Sequence, residues 1–315
     1  MLSPQSHGSE AASGYHTPVL AGEVVGFLRD KSSILDGTLG GGAHTLALLE
    51  HGATVTALDR DPEAIAEASG RLREYEQSGR FFPILGNFAD IDEIEATAHA
   101  RFGGILLDLG VSSHQLDELE RGFSFREGAP LDMRMGNDAP SDAAELLASA
   151  SERELARIFR EYGDEPRAGR LAREIVRRRA HHPLHSSDDL VGAIRGALGP
   201  RSGPPDFARL FQAVRIAVNR ELDALAAALP ALRGHLEPGG VMAVISYHSG
   251  EDRLVKHAFR EWSTACTCPP RQPLCTCGGV ALGETLTRKA LTASAEEIAT
   301  NPRARSARLR AWRAA

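Results

Sequence analysis

The stretch Ile34-Leu35-Asp36-Gly37-Thr38-Leu39-Gly40-Gly41-Gly42-Ala43-His44-Thr45 limits what this chain can fold into more than any other. A short apolar run ends in an acid, glycines follow, and apolar residues at helical spacing resume from Ala43 to Leu49. That is a strand, a glycine-rich turn and a helix. Glycine reaches φ > 0 without strain and lets a ligand approach the backbone closely. The unpaired N–H groups of the first helical turn then face that ligand. Alone, the pattern suits several nucleotide-type ligands, and also a plain tight turn.

The flanking chain repeats the alternation. Pro18 to Arg29 has the spacing of an amphipathic helix. Thr54 to Leu58 is a second strand ending at Asp59, and Pro62 opens a helix reaching about Gln77. Phe81 to Leu85 is a third strand, a helix is expected from about Ile91 to Arg101, and Gly104 to Leu107 is a fourth strand ending at Asp108. Alternation of this kind gives a parallel sheet with crossover helices. From about Leu116 to Val218 no strand signal appears, and helical patterns take over: Ser141–Leu147, Ser151–Tyr162, Arg167–Arg179, Asp188–Leu198 and Phe207–Leu229. A fifth strand, Val241–Ile245, then resumes the earlier character. The economical reading is one α/β domain, residues 15–115 and 219–315, interrupted by a helical insertion over 116–218. Residues 1–14 are Ser/Gly-rich and read as a disordered tail, without the basic start or apolar run of a signal peptide.

In an open parallel sheet the ligand lies beyond the carboxyl ends of the strands. Asp59 falls about twenty residues past the glycines, where a carboxylate accepts hydrogen bonds from ribose hydroxyls. The competing reading is a helix N-cap before Pro62. Phe88 is placed either to stack on a base or to pack in the core. NAD and S-adenosylmethionine both suit such a site. The glycines favour the second, since Gly37, Gly40 and Gly42 read G-x-x-G-x-G rather than the dehydrogenase G-x-G-x-x-G. Asp36, at the strand end, is positioned for the amino-acid end of the methionine.

Longer blocks carry a more specific signal. They include His16-Thr17-Pro18-Val19-Leu20, Leu58-Asp59-Arg60-Asp61-Pro62, Gly104 to Ser113, Gln115-Leu116-Asp117, Pro130-Leu131-Asp132-Met133-Arg134-Met135, Phe211 to Ile216, Val218-Asn219, His248-Ser249, Glu251-Asp252-Arg253 and Asn301 to Ser306. In these the chain resembles the bacterial 16S rRNA cytosine-N4 methyltransferase family (RsmH/MraW type). The resemblance runs in order from about residue 15 to residue 310. It implies a class I, Rossmann-like methyltransferase sheet with an inserted helical domain. It also implies methyl transfer from S-adenosylmethionine to a cytosine N4 in the decoding (P-site) region of 16S rRNA, with the small ribosomal subunit as the expected partner. Carried over by position, the cofactor contacts are Gly42, Ala43, His44, Asp59, Phe88, Asp108 and Gln115, with Asp36 and Gly40 added from the turn itself. Asp108 is the candidate catalytic carboxylate, as cofactor ligand, amino-group acceptor or both. His248, Arg215 and Asn219 are the substrate-side candidates. His248 has the alternative of a strand-end residue bonded to Glu251 or Asp252; Arg215 and Asn219 have that of partners inside the insertion. Ala43 stands where glycine is usual in the family, which is tolerable if its φ is negative. Tyr247 and Gly250 stand where Phe and Leu are common.

Composition narrows the alternatives. A net charge of −6 gives no overall signature of nucleic-acid binding, so local charge must carry it. Residues 151–179 hold nine arginines and six acids, and residues 301–315 hold five arginines and no acid. These two stretches are the expected basic side facing RNA. No apolar stretch approaches the ~18–20 residues of a membrane helix, and cytoplasm is the expected location. The four cysteines, Cys266, Cys268, Cys275 and Cys277, lie within twelve residues and do not form a secreted disulfide framework. They read as zinc thiolates, reduced structural thiols or a redox-labile loop; no catalytic metal is expected. The competing functions are an NAD-dependent dehydrogenase and a non-catalytic ribosome-assembly factor on the same fold.

Overall fold

A computed structural model describes residues 18–266, 268, 272 and 276–315. The expected tail over 1–14 and His16 lie outside them. Helix α1 (Ala21–Leu28) leads into β1 (Ser33–Asp36). The alternation continues through α2 (Ala43–Glu50), β2 (Thr54–Asp59), α3 (Pro62–Arg71), α4 (Arg73–Gln77), β3 (Phe81–Leu85) and β4 (Phe102–Asp108). The centre of β4 is buried throughout, as expected of a parallel strand covered on both faces. Helix α3 starts where it does because the Asp61 carboxylate accepts from Glu63 N at 3.1 Å and Pro62 needs no partner for an N–H.

The helix expected over about Ile91–Arg101 does not form; the segment is a run of turns. The Thr97 hydroxyl reaches the carbonyls of Ile91 (2.8 Å) and Ile94 (3.2 Å), competing with a helical ladder. The chain then runs through α5 (Ser113–Asp117), α6 (Ala143–Ser149), α7 (Glu152–Glu161), α8 (Ala168–Arg179), α9 (Ser187–Leu198), α10 (Pro204–Asn219) and α11 (Glu221–Gly234). Two expected helices are each divided: the one over Pro62–Gln77 breaks at Leu72 into α3 and α4, and the one over Phe207–Leu229 breaks at Arg220 into α10 and α11. Arg220, at φ 52°, sits in the left-handed region, ends α10 and turns α11 back onto the sheet. Strand β5 (Leu236–Ser246), α12 (Ser249–Trp262), β6 (Gly283–Thr285), α13 (Ala295–Thr300) and β7 (Arg308–Ala314) complete the chain.

The seven strands are ordered β3-β2-β1-β4-β5-β7-β6. The first five are parallel, and β7 runs antiparallel to β5 and β6. This is the class I, Rossmann-like sheet that the resemblance implies. The order reverses between β1 and β4, which opens a crevice at their carboxyl ends. One face of the sheet packs Val24, Leu28, Leu48 and Ala68 from α1–α3. The other packs Leu225 and Leu229 of α11 with Val255, Phe259 and Trp262 of α12. A separate apolar core, from Phe123 to Val218, is built by the helices between β4 and α11. Among the described residues no helix is long and apolar enough to cross a membrane.

Four of the five C-terminal arginines are paired with acids instead of forming an open basic surface, and Arg305 is exposed. They belong to β7 and its approach, and β7 is an interior strand. Arg310 is buried and makes two hydrogen bonds to Asp252, at 2.7 and 3.2 Å, while Arg308 reaches the same carboxylate at 3.2 Å. Arg313 pairs with Glu284 and Arg303 with Asp117. On α7 and α8, Arg157, Arg177 and Arg178 are also paired with acids, but Arg153, Arg160, Arg170 and Arg173 are exposed.

Candidate active site

The β1 turn is drawn tight by its own polar groups. Asp36 is buried; one carboxylate oxygen accepts from the Thr45 hydroxyl at 2.7 Å and the other from Thr38 N at 3.1 Å. Burial pushes its carboxyl above the usual range against these bonds. Thr38 in turn accepts from Asp108 N at 2.6 Å, tying the turn to the end of β4. Gly37 leaves no room for a Cβ beside Leu107 and Phe88. Gly42 has φ 75° and no side chain caps α2, so the N–H groups of its first turn are left for a ligand. Ala43 opens the helix and is absent from the positive-φ residues, so alanine costs no strain there.

Gly40, Ala43, His44, Asp59, Phe88, Asp108, Gln115 and Arg215 all line one cleft of about 720 Å³. Asp59, at the end of β2, accepts from Gly40 N at 2.7 Å and from Asp61 N at 2.9 Å. Burial pushes its carboxyl up to about 6 despite those donors. One lone pair on each oxygen remains for a pair of vicinal hydroxyls. The N-cap reading for this carboxylate is not met, since Asp61 caps α3. Phe88, in the turn after β3, stands on the same wall.

At the other end of the crevice Asp108 terminates β4. Its Oδ1 accepts from the Tyr247 hydroxyl at 2.9 Å, and its Oδ2 lies 3.4 Å from His44 Nε2, an ionic contact rather than a hydrogen bond. Neither ring nitrogen of His44 makes a hydrogen bond among the described residues, although the ring is buried. Burial disfavours a charged imidazole, yet Asp108 and Asp36 beside it outweigh burial and raise its pKa. Such an orphaned, buried and charge-prone ring fits a polar or anionic group of a ligand. Tyr247 was legible only as a departure of shape; its tie to Asp108 crosses 139 residues of sequence.

The remaining candidates separate into wall and support. Gln115 closes a capping box with Ser112 and donates to Asp61 at 2.7 Å, so it braces the wall it lines. Arg215 reaches the wall but forms a two-pronged pair with Glu221, at 2.9 and 3.0 Å. Asp36, Gly42, His248 and Asn219 do not line the cleft. His248 caps α12: its Nδ1 accepts from Gly250 N at 3.1 Å and its Nε2 lies 3.1 Å from the buried Glu251. Gly250 leaves little space, since a Cβ would press on the His248 ring and Leu222. Asn219 faces inward. It accepts from Met135 N at 2.8 Å and donates to Met133 O at 2.7 Å, clamping a peptide whose Met133 is forced to φ 61°. That explains why the Leu131–Met135 block needs an asparagine far downstream.

The arrangement is therefore a nucleoside-sized cleft. It has the Asp59 carboxylate at one end, the Asp108 carboxylate held by Tyr247 and His44 at the other, and an open helix start that His44 ties to the second. The profile of the MraW methylase family matches residues 13–315 of this chain. A ribosomal RNA small subunit methyltransferase H of Gemmatimonas aurantiaca is 62% identical over 301 residues, which is 96% of each chain. The protein of the same description from Anaeromyxobacter dehalogenans is 51% identical over 303 residues, 94% of this chain and 96% of its own. Among solved structures, an rRNA methylase from Streptococcus thermophilus is similar at 11% identity and a TM-score of 0.41, with 93% of each chain covered.

Proposed function

The chain belongs to the MraW methylase family, and on that premise we propose that it methylates the exocyclic N4 of one cytosine in the P-site region of 16S rRNA. The methyl donor of this fold is S-adenosylmethionine, which when bound supplies a methyl group already activated by a sulfonium. Asp59 would accept the ribose hydroxyls, Phe88 would lie against the adenine, and the N–H groups at the start of α2, with His44, would take the amino-acid end. Gly40 and Gly42 shape that approach, and Asp36 and Gln115 hold the walls from behind.

The acceptor nitrogen is a poor nucleophile, because its lone pair is delocalised into the base. What the protein must contribute is alignment and a hydrogen-bond acceptor for the amino group. Asp108 is suited to this. Its carboxylate opens on the cleft, beside the end of the crevice where the methionine would lie, and its two neighbours are side chains that can yield to a substrate. Methyl transfer would leave the nitrogen with one proton too many; Asp108 would hold the N–H that loses it, and the proton would leave to solvent at the cleft mouth. This position of Asp108 is the observation that carries the reading. Residues 116–218 are assigned to gripping the RNA, with Arg153, Arg160, Arg170 and Arg173 supplying phosphate contacts.

Nucleoside mass spectrometry of small-subunit rRNA, from cells with and without the gene, tests the proposal. N4-methylated cytidine should be absent without the gene and return with the wild-type chain. Unchanged rRNA nucleosides would instead favour the assembly-factor reading.

A further inference from the structure

The loop between α12 and β6 carries all four cysteines of the chain, spaced C-x-C, six residues, C-x-C. Its neck is closed where Leu282 N donates to the Trp262 carbonyl at 2.8 Å. Above the neck, Gly279 approaches Ala265 so closely that any Cβ would collide with the Ala265 carbonyl. That contact lays the two ends of the loop together and brings Cys277 Sγ to 3.8 Å from Cys266 Sγ. Cys268 joins them, and the three sulfurs lie within 4.8 Å of one another. None of the three is in a disulfide, and an S–S bond of about 2.05 Å would need a far closer approach. Cys275 lies outside the described residues.

The spacing has a simple chemical meaning. Thiolates about 2.3 Å from a tetrahedral zinc ion stand roughly 3.8 Å apart, because the edge of a tetrahedron is about 1.63 times its radius. Soft sulfur donors in this geometry select zinc over magnesium or calcium. None of the three cysteines lines the cleft, so an ion here has no part in the transfer chemistry.

We propose that Cys266, Cys268 and Cys277 hold a structural zinc ion that closes the α12–β6 loop. The ion would fix the approach to β6, the edge strand that covers β7. The inference stands on the loop alone and is independent of the reading of the cleft.

The test uses the full chain, purified without a metal-affinity step, incubated with zinc and freed of excess by gel filtration. Metal analysis should find about one zinc per chain, released by a thiol-blocking mercurial. Cobalt added to the stripped wild-type protein should give thiolate charge-transfer bands. Cys266→Ser and Cys277→Ser should each weaken zinc binding by at least about 10-fold while leaving cofactor affinity unchanged. Substoichiometric zinc in the wild type with no thiolate bands from cobalt would overturn the proposal. So would an intact mass showing a disulfide in the freshly purified chain. The cobalt titration needs no variant, so a misfolded substitution does not blunt it.

Discussion

At the β1–β2 end of the cleft, Asp36 and Asp59 accept hydrogen bonds from backbone N–H groups, with the Thr45 hydroxyl added at Asp36. At the β4–β5 end, Asp108 is held by side chains, the Tyr247 hydroxyl and the His44 ring. The difference is one of stiffness. A backbone donor in a glycine turn cannot rotate away, so the first end is preorganised to recognise a ligand it does not change. The Tyr247 hydroxyl and the His44 imidazole can swing aside, and the imidazole can also change its charge, so the second end can exchange its partners for those of a substrate. On the proposed reading, recognition and reaction fall to opposite ends of one crevice.

Substitutions at the two ends should separate affinity from rate. The largest loss of affinity is expected from Asp59→Ala. The cofactor Kd should rise by about 100-fold, as two charge-assisted hydrogen bonds are lost, while the rate at saturating cofactor stays within about 3-fold. Calorimetric titration beside a saturated rate measurement checks both; an unchanged Kd would remove Asp59 from the ribose.

The next effect is that of pH. Asp59 is raised to about 6 in the folded chain, from an ordinary value of 3.8. The ribose hydroxyls need the ionised form, so cofactor binding expels a proton below about 6, and affinity should fall there by up to about tenfold per pH unit. The stability of the unliganded chain runs the opposite way with pH. The raised carboxyl stabilises the unliganded chain fully below 3.8, and that contribution is lost as the pH rises through about 6. Asp59→Asn should flatten both dependences; a wild-type pH profile in that variant would assign the titration elsewhere.

Tyr247→Phe sharpens the other end. It removes the bond to Asp108 and keeps the ring, so kcat should fall by about 3- to 10-fold, with cofactor Kd unchanged. A shift in Kd with kcat intact would place Tyr247 with recognition instead. The smallest effect on either end is expected from Asn219→Ala. It frees the Met133 peptide behind the wall and should lower the melting temperature by about 2–6 °C, leaving Kd and kcat near wild type. A selective loss of kcat at unchanged melting temperature would return Asn219 to the substrate side.

Much of this frame could be read from residue order. β4 and the second half of β5 announce themselves because both faces are covered, which calls for apolar runs; β3, at the sheet edge, is as apolar although Phe82 and Leu85 are exposed. β7 was hidden by its arginines: Arg308, Arg310 and Arg313 look like basic surface until Asp252 and Glu284 are seen opposite them. β6 has three residues, too few to show a period. The breaks at Leu72 and Arg220 interrupt apolar patterns that continue through them; only Gly70, two residues before the first, hints at it, and no glycine or proline adjoins Arg220. In the site, strand-end acids are legible since topology alone puts them at the crevice. Whether such an acid faces out, as Asp59 and Asp108 do, or inward, as Asp36 does, depends on the hydrogen bonds nearby. His248 and Asn219 were hard to place for the same reason, each having found its partners behind the wall.

The division between the two ends is tested most directly by Asp108→Asn, with cofactor affinity and single-turnover methyl transfer to small-subunit RNA measured on the same preparation. The account predicts a Kd within about 5-fold of wild type and a transfer rate reduced by about 100-fold or more. Transfer at the wild-type rate, or a loss of affinity as large as the loss of rate, would contradict it.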